Sequence, residues 1–201
     1  MKIIILLMFL TLFKSSSNFY NITIQPYDNF STQEIEYVKI KLEKAIYSMS
    51  GKHPNIRINK AKRLDKSLMN SYKTRYRADK IIRSLSGSNN NIVIALTHSD
   101  ISIPYKGKAD WGVLGLCLRP GYVCVASDFR VKNKKRDFWK VILHEYIHTR
   151  YNYSHCPKDD PSCIIKDAKG HANFSNKNEL CNYCKKQLNL KYSIDRQWKN
   201  Y

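Results

Sequence analysis

Alternating apolar and polar positions near the start of the chain predict a strand followed by a helix. Residues 21–27 alternate at the two-residue period of a half-buried strand. Ser31 and Glu34 then form a capping-box pattern, and apolar residues recur at helical spacing over residues 32–49. A second short strand is expected at residues 55–59. Strands and helices therefore alternate at the beginning of the chain.

The middle of the chain continues this alternation. Residues 75–86 have helical spacing, and the apolar run at residues 91–97 is typical of a buried strand. Residues 111–127 indicate a hairpin, because Pro120 and Gly121 supply a turn between two apolar runs. We see no repeat and no linker in this region. The pattern therefore predicts one α/β domain.

Two more helices are predicted in the last third of the chain. Residues 136–150 place apolar side chains on one face, and residues 176–190 indicate a terminal helix. A cysteine-rich segment lies between these two helices. The prediction is thus an α/β fold with a short Cys-rich C-terminal lobe.

The composition supports a folded and strongly basic protein. The 201 residues include 35 Lys and Arg against 16 Asp and Glu, a formal net charge of +19, and 43% are hydrophobic. Such a charge attracts anionic partners. The basic residues are nevertheless spread along the chain, with one dense run at residues 132–136, and no nucleic-acid-binding motif is present. Nucleic acid is therefore not an expected partner.

The N-terminal residues resemble a secretory signal. Lys2 precedes an apolar run at residues 3–13, which Lys14 and three serines follow. A helix of that run would rise only about 16 Å, too short for a ~30 Å hydrocarbon core. We therefore expect a signal peptide at residues 1–17, a mature domain at residues 18–201, a secreted or periplasmic location and no stable membrane span.

The strongest chemical motif is His144-Glu145-x-x-His148, in the predicted helix at residues 136–150. Histidines four residues apart project from one helical face, about 5–6 Å apart at Cβ, so two imidazoles can bind one Zn²⁺. Glu145 can then take a proton from a water molecule that the metal polarises. The motif predicts a hydrolytic zinc site, which needs a third protein ligand.

His155 is the predicted third ligand. To reach the helix the chain must turn sharply, and the six residues between His148 and His155 contain no glycine. Asn152 is the expected turning residue, because Asn tolerates the left-handed region better than other non-glycine residues do. His171 and Glu179 are the competing candidates for the third ligand.

Six cysteines suggest further structure. Two interpretations remain open for a group of four: a closed structural zinc site, which the C-x-x-C pair favours, or two disulfides, which suit an exported protein. The members of this group are Cys156, Cys163, Cys181 and Cys184. Cys117 and Cys124 lie symmetrically about the predicted turn, so they should face each other as a disulfide or as two buried thiols.

Together these residues resemble the archaemetzincin family, also called archaelysins. The family signature is HExxHxxGxxHC, a second Cys, a Met two residues later and a final CxxC. Upstream, the stretches "IQPYDNFS", "EIEYVK", "RYRADKII", "LTHSDIS", "DWGVLGL" and "CVASDFR" are also similar to that family, so the resemblance covers residues 22–188. It implies a metzincin-like domain with a mixed twisted sheet, a catalytic zinc on three His and a second zinc on four Cys.

The chain departs from the family signature at three points. The His148–His155 loop has one extra residue and lacks the family glycine. The gap from Cys156 to Cys163 is also longer, and Ile165 replaces the family Met. Met packs beneath the metal without binding it, so a hydrophobe of similar size should be tolerated.

The resulting hypothesis is a secreted, monomeric zinc metallopeptidase that acts on a peptide or protein substrate. Glu145 would be the general base at a zinc held by His144, His148 and His155, and a second zinc would be structural. The strand at residues 121–127 would pair with an extended substrate. The alternative is a catalytically impaired, zinc-stabilised binding protein of the same fold.

Overall fold

The computed structural model describes residues 20–168 and 174–190 of the chain. These residues form eight strands, four α-helices and two short 3₁₀ helices at Lys66–Leu68 and Lys132–Asp137. The strands are β1 Tyr20–Pro26, β2 Pro54–Ile58, β3 Tyr76–Arg77, β4 Asn91–Thr97, β5 Ile101–Tyr105, β6 Lys108–Val113, β7 Gly115–Cys117 and β8 Val123–Ser127. The helices are α1 Thr32–Ser50, α2 Ala78–Arg83, α3 Phe138–Tyr151 and α4 Asn182–Gln187.

The main sheet has five strands in the order β2-β1-β4-β8-β7. The first four run parallel, and β7 pairs antiparallel with β8 and so forms one edge of the sheet. A second sheet has the order β3-β5-β6, in which β6 is an edge strand. The fold is therefore mixed α/β. The two edge strands β6 and β7 belong to different sheets but follow each other directly in the chain.

The surroundings of β4 explain why its sequence is a continuous apolar run and does not alternate with polar residues. Its side chains point alternately into two cores on opposite faces of the main sheet, as the two-residue period of a strand requires. Ile92, Ile94 and Leu96 join the core under α1 and α3. Val93 and Ala95 join the core that includes α2.

Helix α3 lies at the centre of the molecule. It packs against β7, β8 and α1, and the C-terminal lobe covers its remaining face. There the ammonium group of Lys140 donates to the carbonyls of Phe174 and Ser175 at 3.1 and 3.0 Å. Because it is covered on every side, all residues from 138 to 149 are buried, including the polar residues of the motif.

Several predicted elements are confirmed with small shifts of their ends. These are β1, α1, β2, β4 and α3. The capping box at the start of α1 is also present, since the Ser31 hydroxyl accepts from Glu34 N and the Glu34 carboxylate accepts from Ser31 N.

The two other predicted helices are wrong in extent. Tyr76–Arg77 forms β3 rather than helix, because Tyr76 N donates to the carbonyl of Asp100 beside β5. Of the helix predicted at residues 176–190, only Asn182–Gln187 is helical, because the residues before it pair with the Cys163 segment.

The predicted hairpin at residues 111–127 is correct only in its second part. Trp111–Val113 belongs to β6 and pairs with β5, whereas β7 and β8 form the hairpin. Strand β8 is buried and bonded on both sides, to β4 and to β7. The prediction that residues 121–127 pair with a substrate is therefore wrong for β8, which offers no free edge.

The proposed signal peptide lies outside the described residues. Among those residues, no helix combines the length and apolar character needed to cross a bilayer.

Candidate metal centre

Helix α3 presents His144 and His148 one turn apart, as the motif predicts. Their Nε2 atoms are 3.0 Å apart. Each Nδ1 donates to a backbone carbonyl, His144 to Ile164 O at 2.7 Å and His148 to Tyr153 O at 2.5 Å. Because a carbonyl can only accept, the proton of each neutral ring lies on Nδ1 and each Nε2 keeps its lone pair.

His155 is brought to the same point by the turn after α3. Asn152 ends the helix in the left-handed region, with φ 47° and ψ 38°. The sequence prediction for Asn152 is therefore confirmed. His155 Nε2 lies 3.2 Å from His144 Nε2, so the six-residue loop closes on the motif without glycine.

The three histidines fit the coordination of a zinc ion. Zinc–nitrogen bonds of ~2.0–2.1 Å at a tetrahedral angle require nitrogens about 3.3 Å apart. The separations of His144 Nε2 from His148 Nε2 and from His155 Nε2, 3.0 and 3.2 Å, are close to that spacing. Converging lone pairs repel one another unless a cation lies between them, so the arrangement favours a bound metal.

Burial also keeps these imidazoles neutral. Desolvation lowers the pKa of His144 well below its ordinary value, lowers that of His148 to about 4, and lowers that of His155. A histidine must be neutral to bind a metal. The three rings are therefore in the ligating form at neutral pH.

Glu145 lies against strand β7, close to the histidines. A Cβ at Gly115 would approach Glu145 Cγ to 2.6 Å and Oε1 to 2.7 Å, so glycine is needed there to make room for the carboxylate. Burial raises the pKa of Glu145 to about 8, and the positive charge of Arg119 opposes that shift. A carboxyl group of this kind can exchange a proton near neutral pH.

A second cluster gathers the four cysteines of the C-terminal lobe. Cys156 Sγ lies 3.6 Å from Cys181 Sγ, and Cys163 Sγ lies 3.9 Å from Cys184 Sγ. A disulfide needs about 2.05 Å, whereas sulfurs around a tetrahedral zinc lie about 3.8 Å apart. All four are free thiols, and their ligand atoms could hold a metal ion. The spacing fits zinc.

Cys117 and Cys124 face each other on β7 and β8, as predicted from the turn. Both are free thiols. Desolvation raises the pKa of Cys117 to about 12 and that of Cys124 well above its ordinary value. The structure thus shows the thiol alternative for this pair.

Glu179, one of the two competing third ligands, does not join the histidine cluster. The Glu179 carboxylate pairs with Lys185 at 2.9 Å, and its backbone bonds to the Cys163 segment through Ile164 N. His171 lies outside the described residues.

A cavity of about 520 Å³ opens beside the histidines. Its walls come mainly from β5, β6 and β7, and its floor contains the three histidines and Glu145. Arg119, Arg130 and Lys106 also line it. The sequence offered no motif for Arg119 or for the carbonyls of Ile164 and Tyr153, and it placed Gly115 in a family-like stretch without a role, because these roles depend on contacts between distant segments.

No family model and no curated protein matches this sequence. Solved structures do match, and they place the chain in a known class of fold. A zinc-dependent peptidase from Methanocorpusculum labreanum has 17% sequence identity and a TM-score of 0.61, over 84% of this chain and 100% of that one.

More particularly, the chain has the archaemetzincin fold. Archaemetzincin from Methanopyrus kandleri matches with a TM-score of 0.70 at 16% identity, over 87% of this chain and 96% of that one. Archaemetzincin from Archaeoglobus fulgidus, in complex with malonate, matches with a TM-score of 0.55 at 18% identity, over 73% and 85%. The resemblance inferred from the motifs is thus confirmed at the level of the fold.

Proposed function

We propose that this protein is a zinc-dependent peptidase of the archaemetzincin type. The observation that carries the proposal is the convergence of three histidine Nε2 atoms beside Glu145 on the floor of one cavity. His144, His148 and His155 would hold the catalytic zinc. Three protein ligands leave a coordination position open, as hydrolytic zinc requires.

When bound, zinc supplies Lewis acidity, which polarises a scissile carbonyl and acidifies a water molecule. The protein's own part is to move and hold protons. Glu145 would accept a proton from the attacking water and deliver it to the leaving amine. The carbonyls of Ile164 and Tyr153 keep two rings in the ligating tautomer.

The free edge of β7 is the proposed position for an extended substrate. This strand lines the cavity through residues 115–117 and bonds to β8 on one side only. An added peptide strand would satisfy its outward backbone groups and would lie across the histidines. We therefore propose that the substrate pairs with β7, and not with β8 as the sequence predicted.

We propose a second, structural zinc on Cys156, Cys163, Cys181 and Cys184. A closed set of four sulfur ligands leaves no position for a substrate. The expected content is therefore two zinc ions per chain. We also propose that the chain is exported, that its mature form begins near residue 18, and that it is a monomer.

The test combines metal content with turnover. Purified protein is analysed for zinc and for cleavage of a mixed peptide library, beside a Glu145→Gln variant of nearly equal size. We expect two zinc ions in both proteins and cleavage by the wild type only. Equal turnover by the two proteins would eliminate the peptidase proposal, and two zinc ions with no turnover in either would favour the impaired binding protein.

A further inference from the structure

Arg119 lines the cavity, yet the mechanism above does not use it. It lies in the loop between β7 and β8, and its side chain is exposed. Glu145 and the three histidines line the same cavity. Its charge is also the main electrostatic influence on Glu145, after burial. Arg119 therefore lies at the mouth of the proposed active site.

The guanidinium is held in place from the side of the metal centre. Arg119 donates through one terminal nitrogen to the carbonyl of Tyr153 at 3.0 Å. The same carbonyl accepts from His148 Nδ1. Among the described residues this is the one bond that anchors the group, and it leaves the other N–H donors of the guanidinium, which has five, for a ligand.

The charge of Arg119 is not neutralised within the described residues. Arg130 also lines the cavity, but both its bonding nitrogens contact the Asp100 carboxylate, at 2.8 and 2.9 Å. Arg75 is paired likewise with Asp100 and Asp110. No carboxylate of the described chain forms an ion pair with Arg119. Unlike Arg130 and Arg75, Arg119 therefore has a charge that a bound carboxylate can neutralise.

A second available cation lines the cavity further along. The ammonium group of Lys106 lies over the Tyr105 ring, 5.3 Å from its centroid. It has no bond to the segment that holds His148, so the metal centre does not position it. Arg119 is the better candidate for binding close to the reacting atoms.

We propose that Arg119 binds a carboxylate of the peptide substrate close to the scissile bond, and thereby selects peptides that place a carboxylate there. The planar fork of guanidinium matches a carboxylate with two parallel hydrogen bonds. The inference rests on the proposed peptidase function and extends it to a substrate class. The carboxylate could come from an Asp or Glu side chain or from the C-terminus of the peptide, and matched peptides distinguish these two sources.

The experiment starts from any peptide that the zinc-loaded wild type cleaves. Residues beside the cleaved bond are replaced in turn by Glu and by Gln, and each peptide is made with a free or an amidated C-terminus. A charge-assisted, two-point contact predicts a ratio of kcat/KM, acid over amide, of about ten- to a hundredfold at one position. The pair of peptides that shows this ratio identifies the source of the carboxylate.

Variants then test whether Arg119 causes that preference. In Arg119→Gln the acid-to-amide ratio should fall to near one, and in Arg119→Lys it should be intermediate because the charge remains without the fork. Lys60→Gln, at an exposed residue outside the cavity, removes an equal charge and should keep the wild-type ratio. Zinc content is measured for each variant.

A ratio near one in the wild type, or one unchanged in Arg119→Gln, would overturn the inference. The same ratio is measured as Kd on the Glu145→Gln variant, which should hold peptides without cleaving them. If the wild type cleaves nothing, the peptidase proposal fails. The acid and amide peptides are then derived from the library peptide that Glu145→Gln binds most tightly, and their ratio of Kd decides whether Arg119 binds carboxylates.

Discussion

The two candidate metal sites of this protein are built in opposite ways. The histidine site takes two ligands from one buried helix and opens on a cavity. The cysteine site takes its four ligands from loops and from the start of α4, and three of its four cysteines are buried. One has three protein ligands and room for a substrate, and the other is closed. Ligand number and access are thus the reasons for proposing a catalytic role for the first and a structural role for the second.

The two sites are nevertheless mechanically connected. His155 and Cys156 are neighbours in the chain, and Cys156 N donates to Ile165 O at 3.0 Å. The carbonyl of Ile164, one residue earlier, orients His144. The cysteine lobe therefore fixes both a ligand and the partner of a ligand. We expect damage at the cysteine site to reach the histidine site, but not the reverse.

The largest effect is expected from His148→Ala. Loss of a ligand should remove the catalytic zinc, so zinc content should fall from two ions per chain to one. Peptide cleavage should fall by about 10³-fold or more, since the metal contributes several kcal/mol to the transition state. The melting temperature should fall as well, because a zinc ion that binds only the folded chain stabilises it. If the variant instead retained two zinc ions, His148 would not be a ligand.

Cys163→Ser should damage both sites. For zinc present at a thousand times its Kd, the lost site is worth about 4 kcal/mol of unfolding free energy, or roughly 10 °C in Tm for a chain of this size. Cleavage should fall as well, because His155 loses its support. Thermal denaturation with zinc analysis measures both effects.

The same experiment separates zinc from disulfides in the wild type. A chelator should lower the Tm if the four thiols bind zinc. A reducing agent that lowers the Tm, with no effect of the chelator, would establish the disulfide alternative instead.

Gly115→Ala should affect only the histidine site. The new Cβ would collide with Glu145 and displace the proposed general base. Because the carboxylate is displaced and not removed, kcat/KM should fall by about 10- to 100-fold, at or below the lower end of the ~10²–10⁴-fold range of general-base catalysis. Two zinc ions should remain. Gly107→Ala is the matched control, because its Cβ meets no atom within 4 Å. It should cost about 1 kcal/mol of stability through its positive φ and leave kcat/KM within about twofold. Equal losses of activity in the two variants would contradict the assigned role of Gly115.

The smallest effect is expected at the turn that links the two sites. Asn152→Ala should lower the free energy of unfolding by about 1 kcal/mol, because the left-handed region is less favourable for alanine than for asparagine. Asn152→Gly should be neutral or slightly stabilising. Zinc affinity at the histidine site should likewise be lower in the alanine variant than in the glycine variant. The expected loss in the alanine variant is about fivefold, which corresponds to about 1 kcal/mol. Denaturant unfolding and zinc titration check this order, and an alanine variant as stable as the glycine variant would contradict it.

Local chemistry explains which parts of the fold were predictable. The capping box of Ser31, the buried run of β4 and the zinc motif of α3 each depend on neighbours within a few residues. The errors occur where distant segments compete. Tyr76 leaves a helical pattern to pair beside β5, and Trp111 joins a different sheet from Cys117 although a few residues separate them.

The sequence by itself predicted the candidate histidine ligands, the candidate general base and the turn at Asn152, because spacing on a helix and left-handed tolerance are properties of short segments. Only the tertiary structure decided that Gly115 makes room for Glu145, that two backbone carbonyls orient the imidazoles, and that Arg119 has no acidic partner within the described residues. It also decided that the edge strands β6 and β7 both line the cavity. The physical reason is that these features arise from packing between segments far apart in the chain, for which no local pattern carries a signal.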